Sequence, residues 1–107
     1  MLEFHNQGKI SLEKIAEKMA HNVAICFNIE KRGFIREGYW ADLVLVDLNN
    51  PWSVTKDNIL YKCGWSPFEG QEFSAKVTHT IVSGNLAYEN GRLNHTNKGQ
   101  RLLFDRN

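Results

Sequence analysis

Gly33-Phe34-Ile35-Arg36-Glu37-Gly38-Tyr39-Trp40-Ala41-Asp42-Leu43-Val44-Leu45-Val46-Asp47 is the stretch that decides the fold of this 107-residue chain. Its second half is a short apolar run with an aspartate near each end, the pattern of a buried strand. Lys31-Arg32-Gly33 and Arg36-Glu37-Gly38 read as turns around the short Phe34-Ile35 segment. Working outward toward the C-terminus, Lys76-Val77-Thr78-His79-Thr80-Ile81-Val82 alternates and is rich in β-branched residues, as strands are. Ser83-Gly84-Asn85 makes a tight turn into Leu86-Ala87-Tyr88-Glu89. Asn90-Gly91 gives a second turn, the dipeptide that favours left-handed φ in hairpin loops. Residues 49–73 hold both prolines and two of the three tryptophans and read as a long ordered loop. The tail Gly99–Phe104 reads as a last short strand.

Working outward the other way, the chain turns helical. Ser11 is a good N-cap. Leu12, Ile15, Ala16, Met19 and Ala20 then recur at helical spacing, with Glu13, Lys14, Glu17 and Lys18 on the other face. Ile10 and Ile15 occupy the two positions of a hydrophobic staple. Asn22 reads as the cap of a second short helix carrying Val23, Ala24, Cys26 and Phe27, apolar nearly all round. Residues 1–30 therefore form a helical part and residues 31–107 a β part, an α+β arrangement. Met1-Leu2-Glu3-Phe4 begins inside apolar sequence, as an internal start would.

Composition narrows the function classes. At 12.3 kDa the chain has room for one domain and one real core, far short of an enzyme barrel of about 250 residues. Hydrophobic residues are 42% and charged residues 23%, a globular balance. Thirteen Lys and Arg against twelve Asp and Glu leave a net charge of +1, no basis for binding nucleic acid or an anionic membrane. The mean hydropathy is −0.43 and no long apolar run exists to span a membrane. The N-terminus lacks the regions of a signal peptide, and Cys26 and Cys63 form no Cys-x-x-Cys pair. A reduced, cytoplasmic setting follows, with Cys26 a buried small hydrophobe.

No constellation of reactive residues stands out. His5, His21, His79 and His95 are scattered, without His-x-His or His-Glu-x-x-His, and read as surface or hydrogen-bonded structural histidines. His79 is read as facing away from Val77 and Ile81. Asp42 and Asp47 read as strand-end turn formers and not as an acid/base pair. In Gly64-Trp65-Ser66-Pro67 the proline follows the serine and removes an N–H that an oxyanion hole would use. Phosphate-cradling glycine motifs are absent. Trp40, Trp52 and Trp65 lack interleaved basic residues and read as packing. These residues supply a fold, with no catalytic, substrate-binding or metal-ligating residue among them.

The segments together resemble the C-terminal part of amidohydrolase-superfamily enzymes. Residues 33–47 are similar to the Gly-x-Ile-x-x-Gly-x-x-Ala-Asp-Leu-Val-Leu-Val-Asp stretch that re-enters the small β domain after the catalytic barrel. Gly8-Lys9-Ile10-Ser11-Leu12, with Met19-Ala20-His21-Asn22-Val23-Ala24, resembles the corresponding region of dihydroorotases, except that Val23 stands where a proline is usual. Ser66-Pro67-Phe68-Glu69-Gly70, followed by Val77–Gly84, resembles their ending. The resemblance implies an α+β fragment: the terminal helices of a TIM barrel, then part of a small composite β domain. It implies a parent enzyme that reversibly cyclises N-carbamoyl-L-aspartate to dihydroorotate in pyrimidine synthesis. Zinc would be held by a His-x-His pair, often a carboxylated lysine, two more histidines and an aspartate. The family places those residues upstream, so none is assigned here and this segment is expected to bind no cofactor.

Two other readings share these residues. One is a segment of a hydantoinase or dihydropyrimidinase. The other is a non-catalytic dihydroorotase-like scaffold for aspartate transcarbamoylase, which would also be a partner of an active parent. In every case the first partner is the remainder of the parent chain. The isolated chain is expected to expose apolar helix surface and strand edges, which favour self-association.

Overall fold

The computed structural model describes residues 1–96 and 98–106. Six short strands follow a helical N-terminal part. β1 (Leu43–Asp47), β4 (Lys76–Val82), β5 (Asn85–Glu89) and β6 (Arg92–Leu93) form an antiparallel four-stranded sheet in that order. β2 (Trp52–Ser53) and β3 (Glu72–Phe73) pair as a separate two-stranded ribbon. The two hairpin turns form where the sequence places them. Ser83 and Gly84 have φ of 51° and 82°, and Asn90 and Gly91 of 45° and 90°, the left-handed pairs that match the twist of a two-residue hairpin.

The long loop of residues 49–73 is more structured than expected. Besides the ribbon it carries a 3-10 turn, Lys56–Asn58, closed by reciprocal Thr55 and Asn58 hydrogen bonds. The tail contributes one antiparallel bridge, Ile29 to Phe104, in place of a strand. Glu30 N–H donates to Leu103 O at 2.9 Å and Asp105 N–H to Asn28 O at 2.9 Å, which ties the chain's end to the end of the helical part.

A bulge decides how β4 presents its side chains. Leu45 pairs with His79 and Val46 with Val77, so Thr78 is the extra residue. Adjacent β1 residues point to opposite faces, so Val77 lies on the Val46 face and His79 on the Leu45 face. His79 is therefore opposite Val77, as expected, but shares its face with Ile81, which pairs with Leu43. The Thr78 hydroxyl donates to Leu45 O at 3.2 Å.

The helical part opens with α1 (Leu2–Asn6), which the sequence pattern does not reveal. Its Glu3 carboxylate accepts from the backbone N–H and hydroxyl of Ser74, both at 2.8 Å. Asn6 donates to Leu48 O at 2.9 Å and to the Ser74 hydroxyl at 2.8 Å. α2 (Leu12–Ala16) starts at Ser11, whose hydroxyl accepts from Lys14 N–H at 3.1 Å, as the cap predicts. Asn22 caps nothing. Its φ of −67° and ψ of −31° are helical, and a π-helical turn, Glu17–His21, joins α2 to α3 (Asn22–Cys26) in one rod.

Burial overturns the expectation of one real core. Among the described residues the buried apolar ones are Ala24, Val54 and Ala75, and no side chain is below 2% exposure. Cys26, expected inside, is exposed and free, as is Cys63. The chain exposes 8370 Å², against about 6,100 Å² for a compact protein of this mass. Its radius of gyration is 15.6 Å, against about 13 Å for a compact chain of this length. The helical rod makes no extended packing contact with the sheet among the described residues.

One close approach does lock rod to loop. Gly33 has a φ of 85°, and a Cβ there would sit 2.5 Å from the Ala24 Cβ and 2.9 Å from Ala20 O. Gly33→Ala is expected to destabilise by roughly 2–4 kcal/mol, from overpacking and left-handed strain together. Gly84→Ala, with nothing within 4 Å of its Cβ, should lose only about 1–2 kcal/mol. Chemical denaturation of the two variants side by side checks the difference.

Candidate functional site

The polar centre of the molecule is built around Arg32, which lies in the loop between α3 and β1. Arg32 is 7% exposed, a depth at which a guanidinium requires partners. It donates to the Asp42 carboxylate through one nitrogen and to Gln100 O through another, at 3.2 Å. Its guanidinium also sits 5.2 Å over the Trp40 ring, a cation–π contact. The other Asp42 oxygen accepts from Ser83 N–H at 2.8 Å. One ion pair thus ties together the loop after the helix, the entry to β1, the β4–β5 turn and the C-terminal tail. Burial acts to raise the Asp42 pKa. The Ser83 amide and the Arg32 guanidinium outweigh it and hold the carboxyl below its ordinary value.

Beside this clasp lies an open groove of about 600 Å³, lined by Ile25, Ile29, Phe34, Arg36 and Tyr39 among others. His21 stacks on Phe34 with centroids 4.3 Å apart and planes 14° apart. The Arg36 guanidinium lies 4.0 Å from the Phe34 ring centre, and His21 Nδ1 bonds Gly33 O at 2.7 Å. The π turn brings His21 to this position at the end of α2's extension. The groove can shelter an apolar segment. It presents no paired acid and base and no activated nucleophile.

The residues weighed from the sequence fall apart in space or have local duties. His5 Nδ1 bonds Ile10 O at 2.9 Å. His79 bonds the Thr78 hydroxyl at 2.9 Å and stands 3.6 Å from Glu89. His95 is exposed in the segment after β6. Asp47 accepts from Asn49 N–H at 3.0 Å, a turn contact. Ser66 accepts from Phe68 N–H at 3.1 Å, also within a turn. Trp52 packs with Phe73 and donates to Ala75 O at 2.8 Å, whereas Trp65 is 60% exposed. Among the described residues no three His, Cys, Asp or Glu side chains come together to hold a metal ion. The residues present therefore do not fit a zinc centre, and no step through zinc is derived from them. Arg32 was not singled out by the sequence, because a cation in a Lys-Arg-Gly turn carries no local sign of burial.

Comparison with known proteins gives this arrangement its class. The profile described as the amidohydrolase family matches residues 1–87, and the chain belongs to that family. The dihydroorotase of Pyrococcus furiosus is 36% identical over 103 residues, covering 96% of this chain and 25% of that protein. An allantoinase of Desulfitobacterium hafniense is 36% identical over 89 residues, covering 83% of this chain and 20% of that protein. Among solved structures, the L-hydantoinase (dihydropyrimidinase) of Arthrobacter aurescens superposes with a TM-score of 0.78 at 30% identity. That match covers 87% of this chain and 21% of the hydantoinase. The chain spans about a quarter of the length of the curated dihydroorotases it matches.

The Arg32–Asp42 pair gives a pH dependence with a definite sign. The folded-state pKa of Asp42 lies below the unfolded value of about 3.9, so the contact contributes fully above that pH. Its contribution is lost as pH falls through the folded-state pKa. Asp42→Asn should destabilise by about 1–2 kcal/mol at neutral pH. That is the low part of the range for a charge-assisted bond, because the Asp42 side chain is 36% exposed and screened. The variant should also flatten the loss of stability below about pH 4. Denaturation midpoints across acid pH, compared between the two proteins, read both effects.

Proposed function

We propose that this chain is the C-terminal portion of a dihydroorotase-like cyclic amidohydrolase, and that it supplies framework and not reactive groups. The helical rod would be the last layer of the barrel, with Leu12, Ile15, Ala16 and Met19 turned to the barrel strands. The four-stranded sheet would be part of the small β domain. The parent would act in the cytoplasm, and its zinc would be held by residues outside this segment. In the parent, such a metal would supply Lewis-acid activation of water for hydrolysis of a cyclic amide. This chain's contribution would be to hold the barrel's end closed and rigid.

The observation that carries this reading is the end-to-end match with dihydroorotases, over 96% of this chain but only 25% of the longer relative. The exposure of Leu12, Met19, Val23, Ile25 and Phe27 along the rod supports it. A second reading, a segment of a hydantoinase or allantoinase, is favoured by the superposition on L-hydantoinase and by the allantoinase match. The Ser66-Pro67-Phe68-Glu69-Gly70 block, a turn held by Ser66, argues for the dihydroorotase reading.

A chimera tests the proposal. The chain alone should retain no zinc by elemental analysis and should not hydrolyse dihydroorotate. Grafted in place of the matching quarter of the Pyrococcus furiosus dihydroorotase, it should preserve both zinc content and dihydroorotate hydrolysis. Stoichiometric zinc or turnover in the chain alone would overturn the framework role. A chimera that opens hydantoin or allantoin and leaves dihydroorotate untouched would favour the second reading.

A further inference from the structure

Residues 99–106 cross once from the sheet to the helical part. At one end they meet the β4–β5 turn. Gln100 N–H donates to the Ser83 hydroxyl at 3.2 Å, and a Cβ on Gly99 would come within 3.1 Å of Val82 Cγ1. At the other end they meet the close of α3. Leu103 O accepts from Glu30 N–H and Asp105 N–H donates to Asn28 O, both at 2.9 Å, on either side of the bridge from Ile29 to Phe104. Among the described residues no turn interrupts this segment, and no backbone hydrogen bond joins one of its residues to another. The groups it uses in these bonds are all main-chain groups.

At the sheet end the segment closes a ring of four bonds. Asp42 accepts from Arg32 through one oxygen and from Ser83 N–H through the other. The Ser83 hydroxyl accepts from Gln100 N–H, and Gln100 O accepts from Arg32 at 3.2 Å. Ser83 is the unexpected member. Its φ is 51°, a conformation that glycine adopts at no steric cost, yet the position carries a side chain. The hydroxyl does what a glycine could not, which is to hold residue 100. The segment itself buries little. Leu102 is 44% exposed, Leu103 48% and Phe104 37%, so hydrogen bonds and not apolar area set its hold. Segments with few buried apolar contacts open locally, at a far lower free energy than the whole chain.

We propose that residues 99–106 are a releasable strap. It is one cooperative unit, buckled at Ser83, that ties the end of α3 to the β4–β5 turn and opens as a whole while the hairpin stays folded. With the strap closed, Arg32 has two acceptors, and the 31–42 loop is reinforced as the joint between rod and sheet. With it open, Arg32 keeps Asp42 and Trp40 but loses Gln100 O, and Glu30 N–H and Asn28 O return to water. Every contact in this inference lies within the chain, and none depends on the proposed parent activity.

Deuterium exchange of single amides, followed by NMR in the full chain, tests it. Glu30, Gln100 and Asp105 are expected to share one protection factor, well below that of the β4 ladder amides. Ser83→Ala is expected to lower all three by about fivefold, the equivalent of one ordinary hydrogen bond. Ser83→Gly removes the same hydroxyl but relaxes the left-handed strain. It should lower the three amides equally and leave the β4 and β5 amides at least as protected as before. A fall confined to Gln100, or no fall at all, would overturn the proposal, because the far end would then hold by itself. An equal fall across hairpin and strap in both variants would also overturn it, by making Ser83 a residue of the hairpin alone. Unequal protection of the three amides in the unaltered chain would refute the single unit. A chain without protected β4 amides has no sheet for the strap to join, and that result too would refute it.

Discussion

The structure depends on one buried cation finding its anion. Arg32 is nearly enclosed, and the segments around it have little else to hold them. Among the described residues three form the buried apolar set, and two of them, Val54 and Ala75, lie away from the rod, near the two-stranded ribbon. In most domains apolar burial sets the positions of the elements and polar contacts refine them. Here the helical rod and the sheet share no broad apolar contact. Their relation is carried by the Arg32–Asp42 pair, the Gln100 carbonyl, the Ile29–Phe104 bridge and the Glu3–Ser74 bonds. The Gly33 contact adds a steric stop: no side chain fits between that loop and Ala20 and Ala24.

Such a joint is well suited to a connector. A polar clasp fixes direction with few atoms, whereas its energy in isolation is modest because Asp42 remains partly in water. The apolar surfaces on either side are left exposed. Leu12, Met19, Val23 and Ile25 project from the rod, and Val44 and Leu45 from the sheet. A chain of 107 residues that buried those groups internally would need the rod to fold across the sheet. The rod does not do so: the clasp anchors the loop between them at the start of β1 and the β4–β5 turn, and rod and sheet share no extended packing contact among the described residues.

The sequence shows much of the local structure because that structure is local in cause. Ser11 caps α2 with its own hydroxyl, and Asn90-Gly91 turns a hairpin because of its own φ preferences. β1 and β4 follow from alternation and β-branching within each strand. What the sequence conceals is set by partners far along the chain. Thr78 is bulged because of where Leu45 pairs, so only half of the expected placement of His79 holds. Asn22 has the chemistry of a cap, yet the π turn before it carries the helix through. Arg32 and Asp42 stand in ordinary turn sequences, and nothing local distinguishes a buried Arg from its exposed neighbour Lys31. Of the polar centre, only the two aspartates that bracket β1 stand out in the sequence, and they read there as turn formers.

The expectation of a core failed for a more general reason. Binary patterning states which face of an element avoids water, but not whether the same chain provides the cover. The rod's apolar stripe and β1's unbroken apolar run are what a buried helix and a buried strand require. Both patterns are correct as descriptions of the elements. The composition, at 42% hydrophobic, is likewise normal for a globular domain. The discrepancy appears only when area is compared with mass, because there the chain behaves as part of a larger surface-to-volume problem. An apolar pattern without an internal partner is thus itself information: it marks the surfaces that this chain leaves uncovered.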